Sequence, residues 1–432
     1  MSTDLVAIVG FVSLFVLMLL RVPVGMAMGL VGVAGFGYLA GATPALKIVG
    51  HTTMRSVTDF NFAVVPLFLL MGSFATTSGM SRELFRTANA FLGHLRGGLG
   101  IATIAACGGF AAICGSSVAT AATFSRVAYP EMRRYGYPQS FATGVIAAGG
   151  TLGIMIPPST VLAIYGLITE QDIGKLFIAG VVPGIVAVLM YMATIALIGR
   201  LRPGYLPAGK PAAWRERIGS LRDVWATLLL FFFVIGGIYG GLFTATEAAG
   251  MGAAGAFIIS VLRRRLSGPE ILQSLLEATR TTAAVFTVLI GALLFGYFLT
   301  ITQVPQKVTE FLVGLGIGRY GVLTLIMIMY LVLGTLMDAL AMIILTVPIV
   351  FPVIKAMGFD PIWFGIIIVM VAELGLIHPP VGMNIFVIKS VVEDVRISTI
   401  FYGVLPFIIT DLLRLVLLIA FPILALWLPS QM

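Results

Sequence analysis

The sequence predicts an all-α polytopic membrane protein, built as an inverted-topology repeat with two re-entrant helical hairpins and two broken transmembrane helices. Three observations carry this expectation. Of the 432 residues, 59% are hydrophobic and only 10% charged, with a mean hydropathy of +1.09, far outside the soluble globular range. Stretches of about 20 apolar residues, the length of one helical span, recur from Leu5–Leu20 to Ile400–Leu428. A string of motifs then returns at a fixed offset in the second half.

Full crossings are expected near 4–20, 22–41, 58–78, 138–169 and 172–199, then 224–243, 247–262, 281–301, 361–391 and 399–428, ten in all. Fifty glycines and 21 prolines interrupt the apolar segments, so some spans break inside the membrane. Residues 98–134 and 320–358 are too long and too interrupted for one span and are expected to be hairpins that enter and leave by the same side. The first apolar stretch follows Asp4, with no basic residue before it, and precedes Arg21-Val22-Pro23, so it reads as a retained span and not a signal peptide.

Setting the basic clusters at 200–222 and Arg263-Arg264-Arg265 inside puts eighteen Lys and Arg on the cytoplasmic side against six outside. The net charge of +8 is then a property of cytoplasmic loops and calls for no nucleic acid. The chain divides into a first repeat (1–200), a cytoplasmic connecting loop (201–223) and a second repeat (224–432). Ser81–Leu95 carries Leu84, Phe85, Ala88, Phe91 and Leu92 at helical spacing, and Pro269–Arg280 carries Ile271, Leu272, Leu275 and Leu276. Each is an interfacial arm helix or a surface helix packed on a partner subunit. Two cysteines, Cys107 and Cys114, and three scattered histidines offer no metal, haem or disulfide framework.

The repeat is clearest at two proline pairs. Gly153-Ile154-Met155-Ile156-Pro157-Pro158 returns as Gly375-Leu376-Ile377-His378-Pro379-Pro380, an offset of 375 − 153 = 222. At that offset Pro130 meets Pro352, Gly136 meets Gly358 and Tyr137 meets Phe359, while Cys114-Gly115-Ser116 meets Leu333-Gly334-Thr335 if the second copy has three extra residues. Five crossings per half is an odd number, so the copies face opposite ways. Inverted repeats with discontinuous helices near the midplane are the usual architecture of alternating-access transporters.

The chemistry falls in these motifs. In Cys114-Gly115-Ser116-Ser117-Val118-Ala119-Thr120, the glycine permits a turn, and hydroxyls and freed carbonyls supply hard oxygen ligands suited to sodium. The helix N-terminus beginning near Ser117 points N–H groups at the same place, which suits a carboxylate. Close packing of small residues accounts for the same string. Pro157-Pro158-Ser159 removes backbone donors at membrane depth, leaving carbonyls for a cation, a ligand or a hydroxyl to meet, unless the span merely kinks.

The second copy adds Asp338 near a hairpin tip, where sodium ligation, proton carriage and capping of the following helix are all open. Glu373 serves the same centre or a structural pairing. Arg126 snorkels or contacts substrate, Asp411 and Arg414 pair as i,i+3 neighbours, and His378 is a helix-end hydrogen bonder. Thr246-Glu247 reads as a helix start with an acid in its first turn. Neither H-E-x-x-H nor G-x-S-x-G occurs, so nothing points to an intramembrane enzyme.

These residues, with Thr244-Ala245-Thr246-Glu247-Ala248-Ala249 and Pro379-Pro380-Val381-Gly382-Met383-Asn384, resemble the large membrane subunit of tripartite ATP-independent periplasmic (TRAP) transporters, the DctM-like family, over essentially the whole chain. The resemblance implies an elevator-type carrier of the ion transporter superfamily in the bacterial inner membrane. It would be sodium-coupled, take a carboxylate from a soluble periplasmic binding protein and work with a small four-helix membrane subunit. That subunit is expected as a separate polypeptide, since no extra four-span domain precedes the first repeat. By the same resemblance, about two sodium sites fall at Gly115, Ser116 and Ser117 with Gly153 and Pro157, and at Gly334, Thr335 and Asp338 with Gly375 and Pro379. Substrate contacts fall to Ser117, Pro158, Ser159, Arg126 and Asn384. The alternative is a stand-alone sodium- or proton-coupled carboxylate symporter that needs no binding protein.

Overall fold

A computed structural model describes residues 2–335 and 337–432; Leu336, part of the second tip string, lies outside the described residues. Helix dominates, as it must where lipid offers the backbone no hydrogen-bond partner. The first half runs α1 (Thr3–Leu19), α2 (Val24–Ala40), α3 (Ala42–Thr58), a 3-10 turn (Phe60–Ala63) leading into α4 (Val64–Thr77), α5 (Met80–Leu92), α6 (Gly98–Cys114), α7 (Ser117–Arg134), α8 (Gln139–Met155), α9 (Thr160–Thr169) and α10 (Ile173–Leu201). The second runs α11 (Trp214–Tyr239), α12 (Ala245–Leu262), α13 (Gly268–Thr302), α14 (Val304–Gly314), α15 (Gly318–Gly334), α16 (Ala339–Ala356), α17 (Pro361–Ile377), α18 (Met383–Val391) and α19 (Ile397–Ala420).

Among the described residues, eight helical stretches are long and apolar enough to cross a membrane. The shorter α1, α2 and α17 have 17 residues each, roughly 25 Å of helix. Local chemistry sets many of the ends. Thr244 and Glu247 form a reciprocal capping box at the start of α12, the helix start read from the sequence. A second box, Ser267 with Glu270, starts α13. Asp172 caps α10 through the Lys175 amide at 3.0 Å.

Several boundaries differ from the sequence reading. Residues 214–223, expected as connecting loop, are the first turns of α11, an amphipathic start that joins its span without a breaker. The stretch 269–280, expected as a separate arm, is continuous with the following span in the 35-residue α13, because no glycine or proline parts them. Two further short helices, α3 and α14, were not foreseen; Lys47, His51 and Arg55 on α3 dilute its apolar signal. The α5 arm, Met80–Leu92, covers most of the expected Ser81–Leu95 and buries Leu84 and Phe85. Its Glu83 accepts from Arg263 at 2.7 and 2.9 Å, tying the arm to the end of α12.

The helices sort into two groups. In one, α2 crosses α13 so closely that Gly25 and Gly291 meet backbone to backbone, and α4 packs on α12 and α13. In the other, α6 and α7 pack on α8, α15 and α16 pack on α17, and α8 packs on α17 and α19. The second group holds the longest fully buried runs, Phe141–Met155 on α8 and Trp363–Ile377 on α17.

The internal repeat recurs in the helix bounds of this second group. α6 and α15 each have 17 residues, α7 and α16 have 18, and α8 and α17 have 17. α7 and α16 begin at Ser117 and Ala339, and α8 and α17 at Gln139 and Pro361, each pair separated by 339 − 117 = 361 − 139 = 222. The register at the tips shifts from the expected one. Helix ends align Cys114 with Gly334, and the N-cap residue Ser116 stands opposite the N-cap residue Asp338. The second tip therefore has two extra residues, not three. Matching Gly-hydroxyl strings had hidden the shared capping position.

Candidate binding centres at two tips and two breaks

At the first tip Gly115 ends α6 with φ +64°, a left-handed conformation that favours glycine. Ser116 then caps α7, its Oγ accepting from the Ala119 amide at 3.3 Å, and Thr120 Oγ1 donates to the Ser116 carbonyl at 2.7 Å. Ser117 is buried as the first residue of α7. At the first break α8 stops at Met155, Pro157-Pro158 follow with a cis peptide bond, and Ser159 starts α9. Ser159 Oγ donates to the Ile154 carbonyl at 2.5 Å and accepts from the Leu162 amide at 3.2 Å, so one hydroxyl serves both sides of the gap.

Tip and break touch. Thr160 Oγ1 donates to the Gly115 carbonyl at 3.1 Å. A Cβ on Gly115 would lie 2.8 Å from the Pro158 carbonyl oxygen, and one on Gly153 2.5 Å from the Ser116 carbonyl oxygen. Only hydrogen at both positions lets the two backbones meet.

The second half repeats the arrangement. A Cβ on Gly375 would lie 2.7 Å from Gly334 Cα, so this tip also rests on its break. Thr335 Oγ1 donates to the Val332 carbonyl at 2.7 Å, and Asp338 Oδ1 accepts from the Ala341 amide at 3.0 Å, capping α16. Capping, one of the three roles open to Asp338, is thus observed; its second carboxylate oxygen makes no hydrogen bond among the described residues. Pro379-Pro380 is cis, and His378 lies at the end of α17 with Nδ1 2.6 Å from the Pro379 carbonyl oxygen, a helix-end contact as expected. Gly382 turns the chain into α18 with φ +59°.

Asn384 joins the two halves. It is fully buried, neither amide atom has a hydrogen-bond partner, and its Nδ2 lies 3.2 Å from where a Cβ on Gly150 would stand. A buried primary amide without partners is costly. Its unspent donors and acceptor are the polar groups of this region most available to a ligand.

The structure thus sets Gly115 and Ser116 of the first tip against Gly153 and Pro158 of the first break, with Ser117, Pro157 and Ser159 next to them in the chain, and Gly334 of the second tip against Gly375 of the second break; Thr335 and Asp338 follow Gly334 in the tip, and Pro379 follows Gly375 in the break. Arg126 is not among them. It is exposed on α7 nine residues beyond Ser117, roughly 13 Å along the helix, and makes no ion pair among the described residues. A cavity of about 1090 Å³ lies elsewhere, between the two helix groups, and is lined in part by Arg55, Asn61, Gln171, Thr246 and Thr300.

Glu373 is in a structural pairing, one of the two readings the sequence left open, within a buried polar network next to the breaks that sequence reading did not join up. Asp411 and Arg414 pair at 3.0 Å as expected, but Arg414 also binds Glu373 at 2.8 Å, and Tyr191 reaches Asp411. One signal was available: at the offset of 222, Thr151 falls on Glu373.

Paired, internally repeated breaks in the buried core of a polytopic helical protein belong to membrane transport proteins, and similarity to known proteins says which kind. The chain belongs to the DctM family: the profile of "Tripartite ATP-independent periplasmic transporter, DctM component" matches residues 11–424. It is a permease subunit of a transporter, not an enzyme. It is 40% identical to the C4-dicarboxylate TRAP transporter large permease protein DctM of Pseudomonas aeruginosa, over 86% of each chain. With the protein of the same name from Rhodobacter capsulatus it shares 34% identity over 98% of this chain and 99% of the other. In fold it is similar to the Alcanivorax borkumensis YdaH transporter, with a TM-score of 0.59 at 15% identity, covering 92% of this chain and 90% of that one.

Proposed function

We propose that this chain is the large membrane subunit of a sodium-coupled TRAP transporter that imports a carboxylate handed over by a periplasmic binding protein. The observation that carries the reading is the matched pair of tip-on-break contacts, Gly115 on Pro158 and Gly334 on Gly375. In this reading α6–α7 and α15–α16 are re-entrant hairpins entering from opposite faces of a bacterial inner membrane, and the two halves are inverted. Sodium is held at each centre by hydroxyl, carbonyl and carboxylate oxygens: Ser116 and Ser117 with the first break, Thr335 and Asp338 with the second. The substrate carboxylate lies between the N-termini of α7 and α16, with Ser159 and Asn384 as polar contacts. The group containing both centres slides against the α2–α4–α12–α13 scaffold.

Two of the relatives are named as C4-dicarboxylate permeases, which supports a carboxylate; other relatives are named for sialic acid, ectoine and isethionate. The word tripartite in the family description favours a binding protein and a small membrane subunit of four helices over a stand-alone symporter. The exposed apolar side chains Ile8, Val12 and Leu19 on α1 suit a lipid or helical neighbour.

Asp338→Asn tests the role of the carboxylate. Asparagine caps a helix about as well as aspartate, so the fold is expected to survive while the charge is lost. The sodium concentration for half-maximal uptake is expected to rise by about tenfold or more, the loss of one charged ligand being worth about 1.5–3 kcal/mol. An unchanged sodium response in a folded Asp338→Asn protein would remove Asp338 from the ion site.

A further inference from the structure

The scaffold group carries a polar cluster of its own, beside the first tip. α4 and α13 pack together, and two pairs of side chains meet across them. Ser73 Oγ donates to Glu277 Oε2 at 3.4 Å, and Thr77 Oγ1 lies 3.0 Å from Ser274 Oγ. Ser73 and Thr77 stand one helical turn apart on α4, as do Ser274 and Glu277 on α13, so the four side chains form one patch on the facing sides of the two helices. Ser73 and Ser274 are buried, Thr77 is half-buried and Glu277 is exposed, which leaves the patch open at its carboxylate.

Two features separate this patch from ordinary packing between helices. A serine or threonine inside a helix often donates to the carbonyl four residues back, as Thr76 does to Gly72 and Thr103 to Leu99. Among the described residues Ser73, Thr77 and Ser274 make no such bond; their hydroxyls bond only across the two helices. Their oxygens are thereby turned toward one another and toward an acid. Glu277 is in no ion pair among the described residues, and Arg280, one turn on, does not pair with it. A carboxylate and three hydroxyls make a set of hard oxygen donors, the kind a hard cation selects.

Position says which cation. Gly72, the neighbour of Ser73, is packed on the end of α6: a Cβ there would lie 2.6 Å from the Cys114 carbonyl oxygen and 3.1 Å from Cys114 Cα. Cys114 directly precedes Gly115 and Ser116, tip residues of the first centre. The contact falls five residues before α4 ends at Thr77. At this end of the scaffold the link from α12 to α13 carries Arg263-Arg264-Arg265, which the distribution of basic residues sets in the cytoplasm. In that orientation the cluster extends from the first tip toward the cytoplasm, and it is held by scaffold helices, not by the hairpin.

We propose that Ser73, Thr77, Ser274 and Glu277 form a sodium site on the scaffold, through which the ion held at the first centre passes on its way to the cytoplasm. This rests on the sodium-coupled reading given above and adds to it the place where the ion leaves. The Glu277 carboxylate attracts the released cation and repels the substrate carboxylate, which separates the two on release.

The test is uptake of a labelled C4-dicarboxylate into liposomes holding the full chain and its small membrane subunit. The binding protein is added outside, so that only copies with their periplasmic face outward are read, and sodium is varied on each side separately. In the wild type, internal sodium is expected to slow uptake by refilling the cluster. Glu277→Gln keeps the size of the side chain and an acceptor for Ser73 but loses the charge. In it the internal sodium concentration for half-inhibition is expected to rise about tenfold, while the external concentration for half-maximal uptake stays at the wild-type value. Ser73→Ala is expected to shift the internal value in the same direction by less, and it decides by the same criterion should Glu277→Gln not fold. The proposal is overturned if the internal value is unchanged in the folded variants, if internal and external values move together, or if internal sodium does not slow the wild type. Wild-type uptake indifferent to external sodium would overturn the sodium-coupled reading itself, and this proposal with it.

Discussion

Replacing Arg414 with methionine is expected to destabilise the protein by about 3–5 kcal/mol, the cost of removing one member of a fully buried ionic network. The side chain is entirely buried and, among the described residues, is the only cation paired with Glu373 and Asp411. Without it both acids must be neutralised or left without their cation while fully buried. The effect is expected as a large drop in thermal midpoint in detergent. A second substitution, Asp411→Asn, is expected to restore part of the loss by removing one of the two carboxylates that Arg414 pairs with. An Arg414→Met protein with an unchanged midpoint would mean that the network contributes little.

The second large effect is expected from Gly153→Val. Its Cβ would stand 2.5 Å from the Ser116 carbonyl oxygen and 2.8 Å from Thr120 Oγ1, and the nearer of these is backbone that cannot rotate away. Overpacking of this kind costs about 1–3 kcal/mol. Because the strained contact is the one that forms the first centre, the cost is expected to appear as roughly ten- to a hundredfold weaker sodium-driven uptake. Gly375→Val acts on the second centre in the same way, where the Cβ would meet Gly334 at 2.7 Å. Gly250→Ala is the contrast: its nearest neighbour is Leu67 Cδ1 at 3.8 Å, ordinary contact, and uptake is expected to stay near wild type. Equal effects at Gly153 and Gly250 would separate the tip-and-break contact from transport.

What was legible in the sequence follows from which interactions are local. The breaks at Pro157-Pro158 and Pro379-Pro380 were readable because a proline pair interrupts a helix wherever it stands. The start of α12 was readable at Thr246-Glu247 because an acid in the first turn is a local signal; the residue that caps it, Thr244, lies two positions earlier. The α3 and α14 helices escaped because short amphipathic segments between spans resemble loops in hydropathy. The continuity of α13 escaped because an amphipathic start and an apolar continuation look like two elements when no breaker separates them. The pairing of Ser116 with Asp338 was hidden because a hydroxyl and a carboxylate do the same capping work with different side chains. Beyond the repeat offset that sets Thr151 on Glu373, spacing did not join Tyr191 to them, since the contacts run through four helices far apart in the chain. Arg126 was read as snorkelling or contacting substrate, since residue type alone does not say how far along a helix a site extends.

The most direct test of the central reading is uptake of labelled C4-dicarboxylates into liposomes under an inward sodium gradient, with this chain alone, with its small membrane subunit, and with both that subunit and the binding protein. Uptake that needs all three proteins and the sodium gradient is the predicted result. Uptake by this chain alone, or uptake indifferent to sodium, would contradict it.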